Sequence, residues 1–239
     1  MRALRWLLIL FIWLALLSSM AVTWSLLNLP ETESIQISRQ PSITFLDKDG
    51  RIIASYGDIY GKSIKYQNLP DNLIDAVIVT EDKRFFKHNG VDLKGVLRAI
   101  YVNFREGRIV QGGSTITQQL AKNLFLSPER SFTRKLHELI LSLWLELRFT
   151  KKQILSIYLN RVYLGSGTYG VQAASEKYFN KKVEDLNLYE CAVIASLLKA
   201  PSRYNPIANK ELSKERASLV LENMAKNKLI SKNKVQEAK

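Results

Sequence analysis

From Trp6 to Pro30 the chain reads WLLILFIWLALLSSMAVTWSLLNLP, twenty-five consecutive residues without a charge. A helix needs roughly 20 apolar residues to cross a bilayer, so this run predicts a single transmembrane helix and leaves the residues beyond it to build the folded body. Ser19-Met20-Ala21 offers a small-x-small pattern that a signal peptidase could cut. The apolar run continues through Val22, Trp24, Leu26 and Leu27, however, and outlasts an ordinary signal core. A retained anchor is therefore expected. Arg2 and Arg5 precede the span while Glu31 and Glu33 come after it. The positive-inside rule then places the N-terminus in the cytoplasm and everything beyond residue 30 on the external side of the cytoplasmic membrane.

The rest of the 239-residue chain is long enough for one full hydrophobic core. With 46% hydrophobic and 24% charged residues it has a globular composition, which excludes a mainly disordered chain. Cys191 is the single cysteine, so no intrachain disulfide or thiolate zinc cluster is available. Thirty-five Lys and Arg against twenty-two Asp and Glu give +13, of which +11 remains once Arg2 and Arg5 are set aside. A surface this basic calls for an anionic partner. Outside a membrane that partner is acidic lipid headgroups or a lipid-linked phosphorylated substrate rather than nucleic acid.

The chain divides into three stretches. Residues 1–30 form the cytoplasmic tip and anchor. Residues 31–70 are turn-rich and strand-like; SITFLDKDGRIIASYG alternates β-formers around Asp49-Gly50 and predicts a hairpin, hence a short β-ribbon linker. Residues 71–239 read as a mainly α body. Asp92 is placed to cap a helix with apolar residues at 93, 96, 97, 100, 101 and 104, closed by Gly107. Ser131 is placed to cap another, with Leu136, Leu139, Ile140, Leu143, Trp144 and Leu147 on one stripe. Thr150 and Gln153 form a capping-box pattern, and Leu188–Lys199 is an apolar helix stopped by Pro201.

His88 and His137 lie far apart, and no HExxH, GxSxG or Walker sequence occurs, which sets aside metalloprotease, α/β-hydrolase and P-loop chemistry. Gly112-Gly113-Ser114-Thr115 reads either as an ordinary loop and N-cap or as backbone N–H groups offered to an anion. Glu81-Asp82 lies between the apolar run Ala76–Val79 and Phe85-Phe86. Burial there would raise a carboxyl pKa toward the range a general base needs; the alternative is a helix-end ion pair with Lys83 or Arg84. Arg134, Lys135 and Glu138 share one helical face, either as a solvated salt bridge or as a cationic cradle for phosphate.

Together these clusters resemble a known family. Glu81-Asp82-x-x-Phe85-x-x-His88-x-Gly90, Gly113-Ser114-Thr115-Ile116-Thr117-Gln118-Gln119-x-x-Lys122-Asn123 and Arg134-Lys135-x-x-Glu138 are similar to the first three motifs of the peptidoglycan glycosyltransferases of family 51. Tyr158-Leu159-Asn160 with Gly165-x-Gly167-x-Tyr169-Gly170-Val171 resembles the fourth, and Arg216-x-x-x-Val220-Leu221 the fifth. Ser156 departs from the acid that relatives often carry. Arg161–Gly165 and Lys199–Pro206 look like the branch whose members carry a transpeptidase domain as well. No such domain is expected in this chain, since Ser196-Leu-Leu-Lys199 lies inside a helix of the body and no KTG or KSG comes after it.

The resemblance implies a lysozyme-like, two-lobed helical fold and an enzyme that polymerises lipid II into β-1,4-linked glycan with inversion, releasing undecaprenyl pyrophosphate. It implies Glu81 as the base, with Asp82 supporting the local structure. Lys122, Arg134 and Lys135 would hold the pyrophosphate, and Glu138 would orient these cations or a metal. Ser114, Thr115 and Gln119 would be donors and acceptors to sugar or phosphate. It also leaves room for Mg²⁺ or Mn²⁺, and for membrane lipids, the growing lipid-linked strand and other cell-wall synthesis proteins as partners. A lytic glycan hydrolase and a non-catalytic anchored partner are the other classes considered. The former has less need of the basic cluster and the latter would tolerate loss of the carboxylates.

Overall fold

Helix forms along the apolar N-terminal run. In the computed structural model, which describes residues 2–27, 43–46, 48, 52–56, 58–126 and 132–238, α1 is Arg2–Leu27. Its 26 residues extend about 39 Å at 1.5 Å per residue. Trp6, Phe11, Trp13 and Met20 stand exposed along it, and it lies beside α5 (Phe132–Arg148). Over the described residues alone no helix is long and apolar enough to cross a membrane, so the spanning reading of Trp6–Pro30 rests on the sequence.

The expected hairpin is present: β1 (Ile43–Leu46) pairs antiparallel with β2 (Ile52–Tyr56), Ile43 opposite Tyr56, with a register shift between Phe45 and Leu46. Asp49 and Gly50, the turn signal, lie outside the described residues. The end of the predicted linker joins the body. There, β3 (Ile59–Tyr60) pairs in parallel with β4 (Thr168–Tyr169), and the rings of Tyr60 and Tyr169 stack at 5.0 Å.

Ile64 is clamped a few residues on. Its N–H donates to Asn160 Oδ1, and its carbonyl accepts from Asn160 Nδ2 and Ser156 Oγ, all at 2.8 Å. Ser156, the departure from the family pattern, thus fastens the linker to α6 (Lys151–Arg161). Asn160 is itself crowded by Gly170, which has φ +84° and where a Cβ would fall 2.6 Å from the Asn160 carbonyl oxygen; only glycine fits.

The body is helical from α2 (Asp71–Glu81) through α3 (Leu93–Glu106), α4 (Ile116–Phe125), α5, α6, α7 (Val171–Phe179), α8 (Leu188–Leu197), α9 (Lys210–Lys226) and α10 (Lys232–Ala238). Capping boxes start α4 (Thr115/Gln118), α6 (Thr150/Gln153) and α8 (Asn187/Glu190), and Gly107 at φ +62° ends α3. Ser131 lies outside the described residues. Two groups of helices meet, α2 with α8 and α9, and α4 with α5 and α6. Their shared core includes Leu73, Phe85, Leu120, Leu145, Ile154, Tyr158 and Ile194. Cys191 lies within it, and burial pushes its thiol up to about 12.

Two apolar stripes are only partly covered by the core. On α3 only Gly95 and Ala99 are buried, while Leu93, Leu97, Ile100, Tyr101 and Phe104 face outward, Phe104 being 88% exposed. On α5 the buried side is Ile140, Leu141, Trp144 and Leu145, leaving Leu136, Leu139, Leu143 and Leu147 outside. The 3.6-residue period identifies the helices, but it cannot tell an apolar face that meets a core from one that meets another surface. Asp92 sits at the α3 N-cap position without a side-chain cap bond; its carboxylate pairs with Arg84 at 3.6 Å.

Candidate active site

Glu81 is the last residue of α2 and Asp82 its C-cap, so two adjacent carboxylates leave the helix in different directions where the two helix groups meet. Asp82 turns inward and is buried. His88 Nε2 donates to both its oxygens, at 3.0 and 2.9 Å, and the N–H of Ile116, first residue of α4, donates to Oδ2 at 3.1 Å. Thr115, the α4 N-cap, donates through Oγ1 to the Gly90 carbonyl at 2.6 Å and accepts from the Gln118 N–H. Gly90 (φ +78°) packs on α5, where a Cβ would come 3.0 Å from the Ser142 carbonyl oxygen. The first two motifs therefore meet through structural bonds. These engage Asp82, expected to support the local structure, and Thr115, expected to contact sugar or phosphate, and both also border the cavity onto which Glu81 opens.

Glu81 turns the other way, toward a cavity of about 700 Å³ that it lines with Lys83, Arg98, Ser114, Gln119, Lys199 and Arg216. Burial raises its carboxyl pKa. The Gln119 amide, donating from Nε2 to Oε2 at 2.8 Å, pulls it back, with smaller pulls from Arg216 and Lys199 and a push from Asp82. A carboxylate so placed can accept a proton from a hydroxyl entering the cavity.

Glu138, on α5, is 4% exposed. Lys135 Nζ meets it at 2.7 Å and Arg134 Nη1 at 3.5 Å, so the cluster is a buried carboxylate holding two cations rather than a solvated salt bridge. Lys135 Nζ also donates to Ser114 Oγ at 3.0 Å, which joins the third motif to the rim of the Glu81 cavity. Nothing lies within 4 Å of a Cβ built on Gly112, which also lines the cavity, whereas one on Gly113 would come 3.3 Å from the Val96 side chain. Lys122, in the last turn of α4, is exposed and does not line the cavity. A further pin ties the elements together: Glu146 Oε1 on α5 accepts from Thr117 Oγ1 (2.6 Å) and Lys151 Nζ (2.7 Å), and Lys151 also sits 4.4 Å over the Phe85 ring.

The structure thus brings together Glu81, Gln119, Ser114, Lys135, Arg134 and Glu138, and adds a second set of cations that sequence reading did not assign. Burial, and then the neighbouring Arg98 and Lys226, lower the Lys83 pKa, as expected where cations gather for an anion. Arg216 leaves its buried Nε without a hydrogen-bond partner. Its place in the fifth motif was the available signal. Lys83 and Arg98, on separate segments, gave none. Among the described residues no group of three His, Cys, Asp or Glu could hold a metal ion. Asp82 is taken by His88 and Glu138 by two cations, so the residues do not fit a resident Mg²⁺ or Mn²⁺.

Residues 49–225 match the family model described as Transglycosylase. The chain is 43% identical over 212 residues to penicillin-binding protein 1A of Aquifex aeolicus, covering 88% of this chain and 29% of that protein. It is 42% identical over 212 residues to penicillin-binding protein 1A of Pseudomonas aeruginosa, covering 88% and 26%. A crystal structure of penicillin-binding protein 1A from Haemophilus influenzae is similar with a TM-score of 0.50 and 27% identity, over 84% of this chain and 20% of that one. The chain spans less than a third of the length of these relatives.

Proposed function

Because this chain belongs to the transglycosylase family, we propose that it is a peptidoglycan glycosyltransferase that polymerises lipid II, anchored by α1 with its body on the external side of the cytoplasmic membrane. The observation that carries the reading is a carboxylate with a burial-raised pKa at the wall of a cavity lined by four cationic side chains. The 4-hydroxyl of an acceptor GlcNAc gives its proton to Glu81 as its oxygen bonds to the anomeric carbon of the donor MurNAc. The bond from that carbon to the pyrophosphate oxygen breaks in the same displacement, leaving undecaprenyl pyrophosphate and an inverted, β-1,4-linked product.

Charge grows on the departing pyrophosphate, and preorganised cations stabilise it. Lys135 and Arg134 are held for this by Glu138, and Lys199 and Arg216 line the Glu81 cavity, whose rim Lys135 reaches through Ser114. The outward apolar side chains of α3 and α5 suit a body that rests on lipid, in keeping with a substrate whose tail stays in the bilayer. The test is lipid II polymerisation by Glu81→Gln, which keeps shape but loses basicity. Turnover should fall by on the order of 10² or more; near-wild-type turnover by the folded variant would remove Glu81 from the role.

A further inference from the structure

We propose that Tyr158 is a positioning residue that fixes the orientation of the Gln119 amide and through it keeps Glu81 ready to accept a proton. The inference rests on the reading of Glu81 as the base. Tyr158, on α6, is fully buried, and its hydroxyl donates to Gln119 Oε1 at 3.0 Å, while Gln119 Nε2 donates to Glu81 Oε2 at 2.8 Å. Three helices thus contribute one polarised chain, phenol to amide to carboxylate.

A primary amide can face a neighbour with either end, and the two ends have opposite consequences for a base. With Nε2 toward Glu81 the carboxylate form receives a hydrogen bond. With Oε1 toward Glu81 only the protonated acid can bond, so the carboxyl is held in the form that cannot accept a proton. Tyr158 favours the first: if the amide turned, the phenol oxygen could accept from Nε2, but the buried phenol hydrogen would lose the acceptor it has in Oε1. Burial, and then the Glu81 charge, raise the Tyr158 pKa well above its ordinary value, so the phenol keeps its proton and stays a donor.

The other groups that influence Glu81 are Asp82 at the end of α2, Lys199 beyond α8 and Arg216 on α9. Among the influences that hold it ionised, the Gln119 bond is the largest, so the amide orientation is the effective control.

The experiment is the pH dependence of kcat/KM for lipid II polymerisation by the full chain in detergent. The variants are Tyr158→Phe, Gln119→Ala and the pair together, with folding followed by thermal melts. Tyr158→Phe should move the acid limb up by about one pH unit, a roughly tenfold loss on the limb, with most of the rate recovered at alkaline pH. In the Gln119→Ala background the same change should move the limb no further. A loss equal at every pH, an unmoved limb, or an equal shift in both backgrounds would overturn the proposal. If Glu81→Gln retains turnover, the base reading fails; if Glu81→Gln is inactive and the Tyr158→Phe limb is unmoved, only the positioning role fails. Should the Phe variant not fold, 3-fluorotyrosine at position 158 keeps the packing and donates more strongly. The limb should then stay or move down, and an upward move would refute the proposal.

Discussion

Replacing Asp82 by Asn tests whether the first motif works through its neighbour's scaffold. The native carboxylate offers only acceptors, which suits two donors, His88 Nε2 and the Ile116 N–H. Asparagine offers one oxygen and one NH₂, so either its NH₂ meets a donor, or His88 takes the other tautomer and strands an N–H on the buried, unpartnered Nδ1. Losing a charge-assisted bond costs about 1.5–3 kcal/mol and stranding a buried donor about 1–3 kcal/mol, so a total of about 3 kcal/mol is expected. For a chain of this size, at about 2–4 °C per kcal/mol, the melting temperature should fall by roughly 6–12 °C.

Function should suffer more than stability. Ile116 opens α4, the helix that presents Gln119 to Glu81, so a small displacement of its first turn misplaces the base, and a misplacement of about 1 Å can cost on the order of 10² in rate. Calorimetry and lipid II polymerisation below the new melting point read the two effects. A variant that melts within about 2 °C of wild type and polymerises normally would refute the claim that Asp82 ties α2 to α4.

Other consequences are smaller in scope. Because burial raises the Glu81 pKa above its unfolded value, ionising it opposes folding. The protein should gain stability as pH falls through the raised pKa while activity declines, and Glu81→Gln should melt higher than wild type near neutral pH, a gap that closes on acidification. Arg134→Ala and Lys135→Ala should each lower polymerisation by about tenfold or more with circular dichroism unchanged, and Arg134→Lys should rescue poorly because an ammonium lacks the planar fork; unchanged polymer in all three would remove the phosphate cradle. Deleting residues 1–30 should weaken membrane association without abolishing it. In that truncated chain Phe104→Ser with Ile109→Ser, both 88% exposed, should reduce co-sedimentation with anionic vesicles at little cost in melting temperature. Undiminished binding would show that this face is not the one that meets lipid.

What could be read from the sequence was whatever depends on near neighbours. The capping box at Thr150 and the left-handed stop at Gly107 are decided within four residues, and they appear in the structure. The link between Arg134, Lys135 and Glu138 is likewise a matter of one helical turn. Which face of α3 would be covered was not available, because an amphipathic pattern is the same whether the apolar side meets a core or lipid.

The division of labour between Glu81 and Asp82 came from the family resemblance alone; the two residues by themselves do not carry it, for a related reason. The two residues are adjacent in sequence and alike in chemistry. They differ in what lies 34 to 38 residues away, a backbone N–H at Ile116 for one and an amide at Gln119 for the other. Both partners sit on the first turns of α4, and the capping box of Thr115 and Gln118 sets the start of that helix. A local signal in the second motif therefore places the groups that make one carboxylate of the first motif a strut and leave the other free to face the cavity. Shifting the α4 start by a residue would rotate Gln119 about 100° away from Glu81 with every motif residue still present. The motifs are thus best understood as a set of relative positions, and the capping box within the second of them helps to set where the charged residues of the first can act.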